Sequence, residues 1–173
     1  RRLSVDSAEL LEIPIKHTHP PRIDLSIHNV RETGNRIYER NELFRYVAAR
    51  MRHTGAQVLW GGYLEHRLIY ASSTIFHQDK HPRNIHLGLD FWAATDTSVF
   101  APIAGHVHSF QDNAAFRDYG PTIILRHEAE GVTFHTLYGH LSRGSLTGLS
   151  VGMEVHKGQH IGWLGDEAEN GQW

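Results

Sequence analysis

Hydrophobic positions along this chain change their period. Between residues 40 and 53, Leu43, Val47 and Met51 recur every four residues, and Phe44 and Ala48 widen the stripe. This is the pattern of an amphipathic helix. Asn41 is placed to cap its start and Gly55 to end it. From residue 86 onward the period falls to two. Leu87, Leu89 and Phe91 alternate with His86, Gly88, Asp90 and Trp92. Apolar segments then follow at Val99–Pro102, Gly105–Phe110, Thr122–His127, Thr133–Leu141 and His160–Leu164, spaced by Gly, Pro, Asn and Asp clusters. Short antiparallel strands in a sandwich or barrel are the expected outcome. Ahead of residue 34 the pattern is broken by Pro14, Pro20, Pro21 and Gly34. That stretch reads as an extended arm with short strands at 11–15 and 23–28. Val58–Trp60 and Leu68–Tyr70 predict two more strands joined around Tyr63–Arg67, and residues 75–85 predict a loop. The expected class is mainly β, α+β overall. The expected division is an N-terminal α+β extension (1–75) with one helix, then a β domain (76–173).

Composition narrows the chemistry. The chain has 173 residues, 40% hydrophobic and 21% charged, which suits a folded domain with an extension. The absence of cysteine excludes disulfides, thiolate metal sites and a cysteine nucleophile. A formal charge of −2 offers no electrostatic case for a nucleic-acid partner. No apolar run is long enough to predict a membrane-spanning helix. The first residue is Arg1 rather than Met, so the chain is expected to begin inside a longer product, where neighbouring domains could flank it, or after processing. Fifteen histidines are the outlier. Imidazole is the commonest metal ligand and titrates near neutrality, so any metal site must use His with Asp or Glu.

The sharpest constellation is His86-Leu87-Gly88-Leu89-Asp90. On a straight strand residues i and i+4 stand ~13 Å apart, too far to share an ion. A mid-strand glycine often marks a bulge or bend, and a kink at Gly88 would bring the imidazole and the carboxylate together. The second constellation is Phe134–Ser142, where alternation puts His140 on one face with Tyr138 and Thr136, and His135 on the other with Leu137 and Leu141. His140 there suits a general base, or a donor to developing charge. Other histidines have plainer readings. His106-Val107-His108 is an H-x-H in a strand after Ala101-Pro102 and reads as a polar strand face. His77, Asp79 and His81 read as solvated loop residues, and His53 as a cation at a helix C-terminus. His127 reads as a satisfied core imidazole.

With the segments around them, these motifs form an ordered series: Ala101-Pro102-Ile103-Ala104-Gly105-His106-Val107, Tyr119–His127, Tyr138-Gly139-His140-Leu141-Ser142, and Val151–Gly162 with Gly165 closing. The series resembles the M23 zinc metallopeptidases, the LytM/lysostaphin-type peptidoglycan endopeptidases, over residues 86–165. The resemblance implies a duplicated hybrid-motif β fold. It implies one zinc ion held by His86 and Asp90, a catalytic His140, and Tyr138 and His135 facing substrate. It further implies hydrolysis of peptide bonds in peptidoglycan cross-links.

The chain departs from the family pattern in one respect. The family's third zinc ligand, the second histidine of an H-x-H after the Gly-rich hairpin, has no counterpart before Trp173. It is expected beyond that residue in a longer product. A looser resemblance, on Asp112–Ala115 through Tyr119–Pro121, is to the M23-like middle domain of large proteins that also carry kinase-like and class III aminotransferase domains. A wall hydrolase would work in the cell envelope, and a fusion-enzyme domain in the cytoplasm. Two alternatives stand beside the hydrolase: a degenerate M23 domain that binds a ligand or regulates neighbours, and a IIA-type phosphocarrier. The carrier is disfavoured by motif order, since there the A-P-x-x-G-x-V segment precedes H-x-G-x-D.

Overall fold

The computed structural model describes residues 6–68 and 84–171. They fall into two compact units, one made of the N-terminal arm to Thr18 with Ala94 onward, the other of His19–Ala93. The boundary expected near residue 75, the loop with His77, Asp79 and His81, and part of the strand expected at Leu68–Tyr70 lie outside the described residues.

Among the described residues of the His19–Ala93 unit, two helices contribute to the core. A helix at Ile27–Thr33 starts at Ser26, whose hydroxyl accepts from the Asn29 amide, and ends at Gly34 in the left-handed region. A short strand was expected at 23–28, and the helix takes its last two residues. The Ser26 cap and the Gly34 stop override it, because together they satisfy backbone groups at both ends of a helix. The four-residue helix at Ile15–Thr18, in the other unit, likewise replaces part of the strand expected at 11–15. With them the N-terminal region carries three helices where one was expected. The third helix, Arg40–Thr54, matches its apolar stripe, with Leu43 and Val47 buried. Its cap is Glu39 rather than Asn41, without a side-chain capping bond, while Gly55 ends it at φ 66°. Ile23, Leu25, Ile37, Val58 and Leu59 complete the buried set.

Four short strands follow among the described residues of this unit. Strand β1 (Leu59–Gly61) pairs antiparallel with β4 (Asp90–Trp92), and β2 (Glu65–His66) pairs antiparallel with β3 (Ile85–His86). Gly61 faces Asp90 and Glu65 faces His86, so the two ladders keep one register. Three residues on each side, 62–64 and 87–89, leave the ladder between them. The single strand expected from residue 86 is therefore broken at Gly88, and Leu87 and Leu89 are exposed instead of facing a core.

The other unit is antiparallel β. Strands β6 (Gly105–Asn113), β7 (Gly120–Ala129), β8 (Val132–Tyr138) and β9 (Glu154–Val155) form a sheet in the order β8-β7-β6-β9. β5 (Ser98–Phe100) pairs with β10 (His160–Trp163). The arm joins β5 through a bridge from Leu11 to Val99 and a hydrogen bond from the Phe100 amide to the Leu10 carbonyl at 2.8 Å. Val99, Ala101, Val107, Ile123, Leu125, Leu141, Val155 and Ile161 are buried here. Strand predominates in the chain, as its alternation leads one to expect, and among the described residues no sheet closes into a barrel.

Candidate active site

The break at 87–89 does to His86 and Asp90 what a straight strand forbids. His86 Nε2 lies 3.4 Å from Asp90 Oδ1, and both side chains are about four-fifths buried, 19% and 24% exposed. His86 Nδ1 lies 2.9 Å from the Gly62 carbonyl. A carbonyl only accepts, so Nδ1 carries the proton toward Gly62, and in the neutral imidazole Nε2 turns its lone pair toward the carboxylate. Two acceptors thus face one another. Their separation exceeds a charge-assisted N–H···O bond, about 2.7–2.9 Å. It equals the gap between neighbouring ligands on a tetrahedral zinc, about 3.3 Å for bonds of about 2.0–2.1 Å. A backbone carbonyl on the far nitrogen is also the usual way a metal-ligating imidazole is oriented. The pair therefore fits zinc in donor type, tautomer and spacing. Among the described residues no third His, Cys, Asp or Glu completes the group.

The second oxygen of Asp90 is already engaged. Arg67 Nη2 donates to Asp90 Oδ2 at 2.5 Å, and Arg67 Nε donates to Glu65 Oε2 at 2.7 Å. Glu65 Oε1 accepts the Leu25 amide at 3.2 Å. Arg67 and Glu65 are 5% and 4% exposed, among the most deeply buried charges of the chain. Gly62 sits against this cluster at φ 97°, and a Cβ there would come within 2.6 Å of Arg67 Nη2 and 2.7 Å of His86 Nδ1. Sequence reasoning passed over all three residues. The one signal was Glu65-His66-Arg67, whose alternate charges share a strand face.

His140 is set by different means in the other unit. β8 ends at Tyr138, and His140 turns into the left-handed region at φ 58°, so the expected alternation does not reach it. This conformation costs a non-glycine residue about 1–3 kcal/mol. Backbone contacts on both sides hold it: the His140 amide donates to Tyr119 O at 2.6 Å, and its carbonyl accepts from Gly165 at 3.0 Å. His140 Nδ1 donates to the Asn170 carbonyl at 2.7 Å, which fixes the ring's orientation. Tyr138 and Thr136 do share a face, the Thr136 hydroxyl donating to the Tyr138 oxygen at 3.0 Å. Burial pushes the Tyr138 hydroxyl above its ordinary pKa of 10.0, against the opposing pull of the Thr136 hydrogen bond. His135 is exposed on β8 and meets the His108 ring edge-on at 4.7 Å.

His127 shows the contrast with a structural imidazole. It is 1% exposed, Nδ1 reaches the Ala104 carbonyl at 2.8 Å, and Nε2 reaches Thr136 Oγ1 at 2.7 Å. Both nitrogens are spent inside the protein. His106 and His108 are exposed on β6, His106 opposite Arg126 and His108 at the register shift between Val107 and Ser109.

No curated protein and no solved structure matches the chain. The model of Peptidase family M23 matches residues 84–172, just over half of it, and spans His86, Asp90, His135, Tyr138 and His140. By this match the chain belongs to peptidase family M23, a family of hydrolases that cut peptide bonds.

Proposed function

We propose that this chain is the peptidase domain of a zinc-dependent endopeptidase acting on the peptide cross-links of peptidoglycan. His86 and Asp90 would hold the metal, His140 would handle protons, and Tyr138 and His135 would contact substrate. One observation carries the reading: two acceptor atoms, His86 Nε2 and Asp90 Oδ1, face each other at 3.4 Å with the imidazole tautomer set by Gly62. Zinc bound there supplies Lewis acidity toward a peptide carbonyl and toward water. The remaining chemistry falls to the chain's own groups. His140, its Nδ1 committed to Asn170, would be the group that moves protons in the reaction. Tyr138 keeps its proton across the neutral range and can donate toward an oxygen that gains charge.

Zinc content and muropeptide cleavage test this together. His86→Ala is expected to lose zinc and turnover. His140→Ala is expected to keep its zinc and lose turnover by about 10²–10⁴-fold, the usual share of a general base. Zinc content unchanged in His86→Ala would remove the metal assignment, and metal loss in His140→Ala would make that residue a ligand.

A further inference from the structure

The buried Glu65–Arg67 pair needs a reason. Placing two charges at 4% and 5% exposure removes them from water, and such pairs seldom stabilise a fold more than apolar residues of the same size. What a guanidinium does supply is geometry, because its donors sit in a rigid planar fork. One edge of that fork is tied to Glu65, which is itself tied to the Leu25 amide. The other edge holds Asp90 Oδ2. The Asp90 carboxylate is thereby fixed in rotation, and Oδ1 alone is left pointing at His86 Nε2. Glu65 has a second effect. Without it, Arg67 would set a full positive charge beside the place where a cation must enter. With it, a carboxylate lies against each of the two guanidinium nitrogens, Nε and Nη2.

We propose that Arg67, held by Glu65, is a positioning residue that presents Asp90 as a one-oxygen metal ligand, so that the metal centre extends into the β1–β2 segment, ahead of the family-matched residues. The proposal rests on the reading of His86 and Asp90 as zinc ligands. It differs from a purely structural role in one measurable respect: zinc affinity depends on the fork even when the fold does not.

The test is a zinc titration followed through the imidazole ¹⁵N signals of His86, assigned by their absence in His86→Ala, alongside thermal unfolding without zinc. Arg67→Met alone leaves Glu65 buried against no cation and is expected to unfold readily. The informative variant is Glu65→Gln with Arg67→Met, which removes both charges and keeps an acceptor for Leu25. It is expected to fold, to unfold within a few degrees of the parent, and to bind zinc about 10–100-fold more weakly, the usual cost of losing an outer-shell partner. Zinc affinity within twofold of the parent, or a double variant that cannot fold, assigns Arg67 to the fold and overturns the proposal. A parent chain that binds zinc no better than His86→Ala overturns the ligand assignment itself, and with it this one.

Discussion

Gly62→Ala probes the support of the candidate site without removing any functional group. Two effects add. At φ 97° the backbone lies beyond the narrow left-handed well that alanine can occupy, which costs at least about 1–2 kcal/mol. The loss of glycine's disorder in the unfolded chain returns about 0.4–1 kcal/mol. The new methyl would lie 2.6 Å from Arg67 Nη2, 2.7 Å from His86 Nδ1 and 3.0 Å from Asp90 Oδ2, all closer than ordinary contact. The end of an arginine can often swing aside. Here it is pinned between two carboxylates, so the methyl acts as overpacking, at about 1–3 kcal/mol. The expected total is about 2–4 kcal/mol. Gly55→Ala is the control, since it shares a positive φ of 66° but meets nothing within 4 Å. It should lose about 1 kcal/mol or less. Urea unfolding of both variants separates strain from crowding. Zinc titration should show at least a tenfold loss in Gly62→Ala, because the methyl displaces the imidazole, and none in Gly55→Ala. Equal stability in the two variants, with parental zinc affinity in Gly62→Ala, would refute the account of Gly62 as the seat of the cluster.

Other outcomes follow from the same geometry. His127→Ala removes one of the two partners of the Thr136 hydroxyl and the imidazole donor to the Ala104 carbonyl, and empties a buried ring site, so it should cost about 2–4 kcal/mol by chemical denaturation with zinc binding unchanged. Altered zinc binding in that variant would mean that His127 belongs to the metal site after all. Tyr138 gives a pH dependence of defined sign. Its folded pKa is raised, so its contribution to stability is complete below the unfolded value near 10 and is lost as pH rises through the higher folded value. Tyr138→Phe should therefore flatten part of the fall in melting temperature above pH 10. An identical alkaline slope in the parent and the variant would count against the burial argument.

Much of this protein is readable along the chain because the signals are local. The helix at Arg40–Thr54 announces itself by a four-residue recurrence and stops at Gly55, since both depend on neighbours within a turn. The strands from β5 to β8 follow from alternation between turn residues, and the break at Gly88 follows from a glycine in mid-strand. The ordered motifs from His86 to Gly162 point to the family for the same reason, each being a few contiguous residues. The helix at Ile27–Thr33 was hidden because it is only seven residues long with two apolar positions, Ile27 and Val30, too few to set a period, and its Ser26 cap and Gly34 stop are single-residue signals.

What the chain could not declare is how distant segments complete each group. Asp90 meets Arg67 across 23 positions, His86 meets the Gly62 carbonyl across 24, and His140 meets the Asn170 carbonyl across 30. In two of these three bonds the acceptor is a backbone carbonyl, which every residue has and no residue name reveals. The tautomer of each imidazole is set by those carbonyls. Side-chain identity decided which chemistry was within reach. The register that lays residues 59–66 against 85–92 decided which atoms of that chemistry face one another.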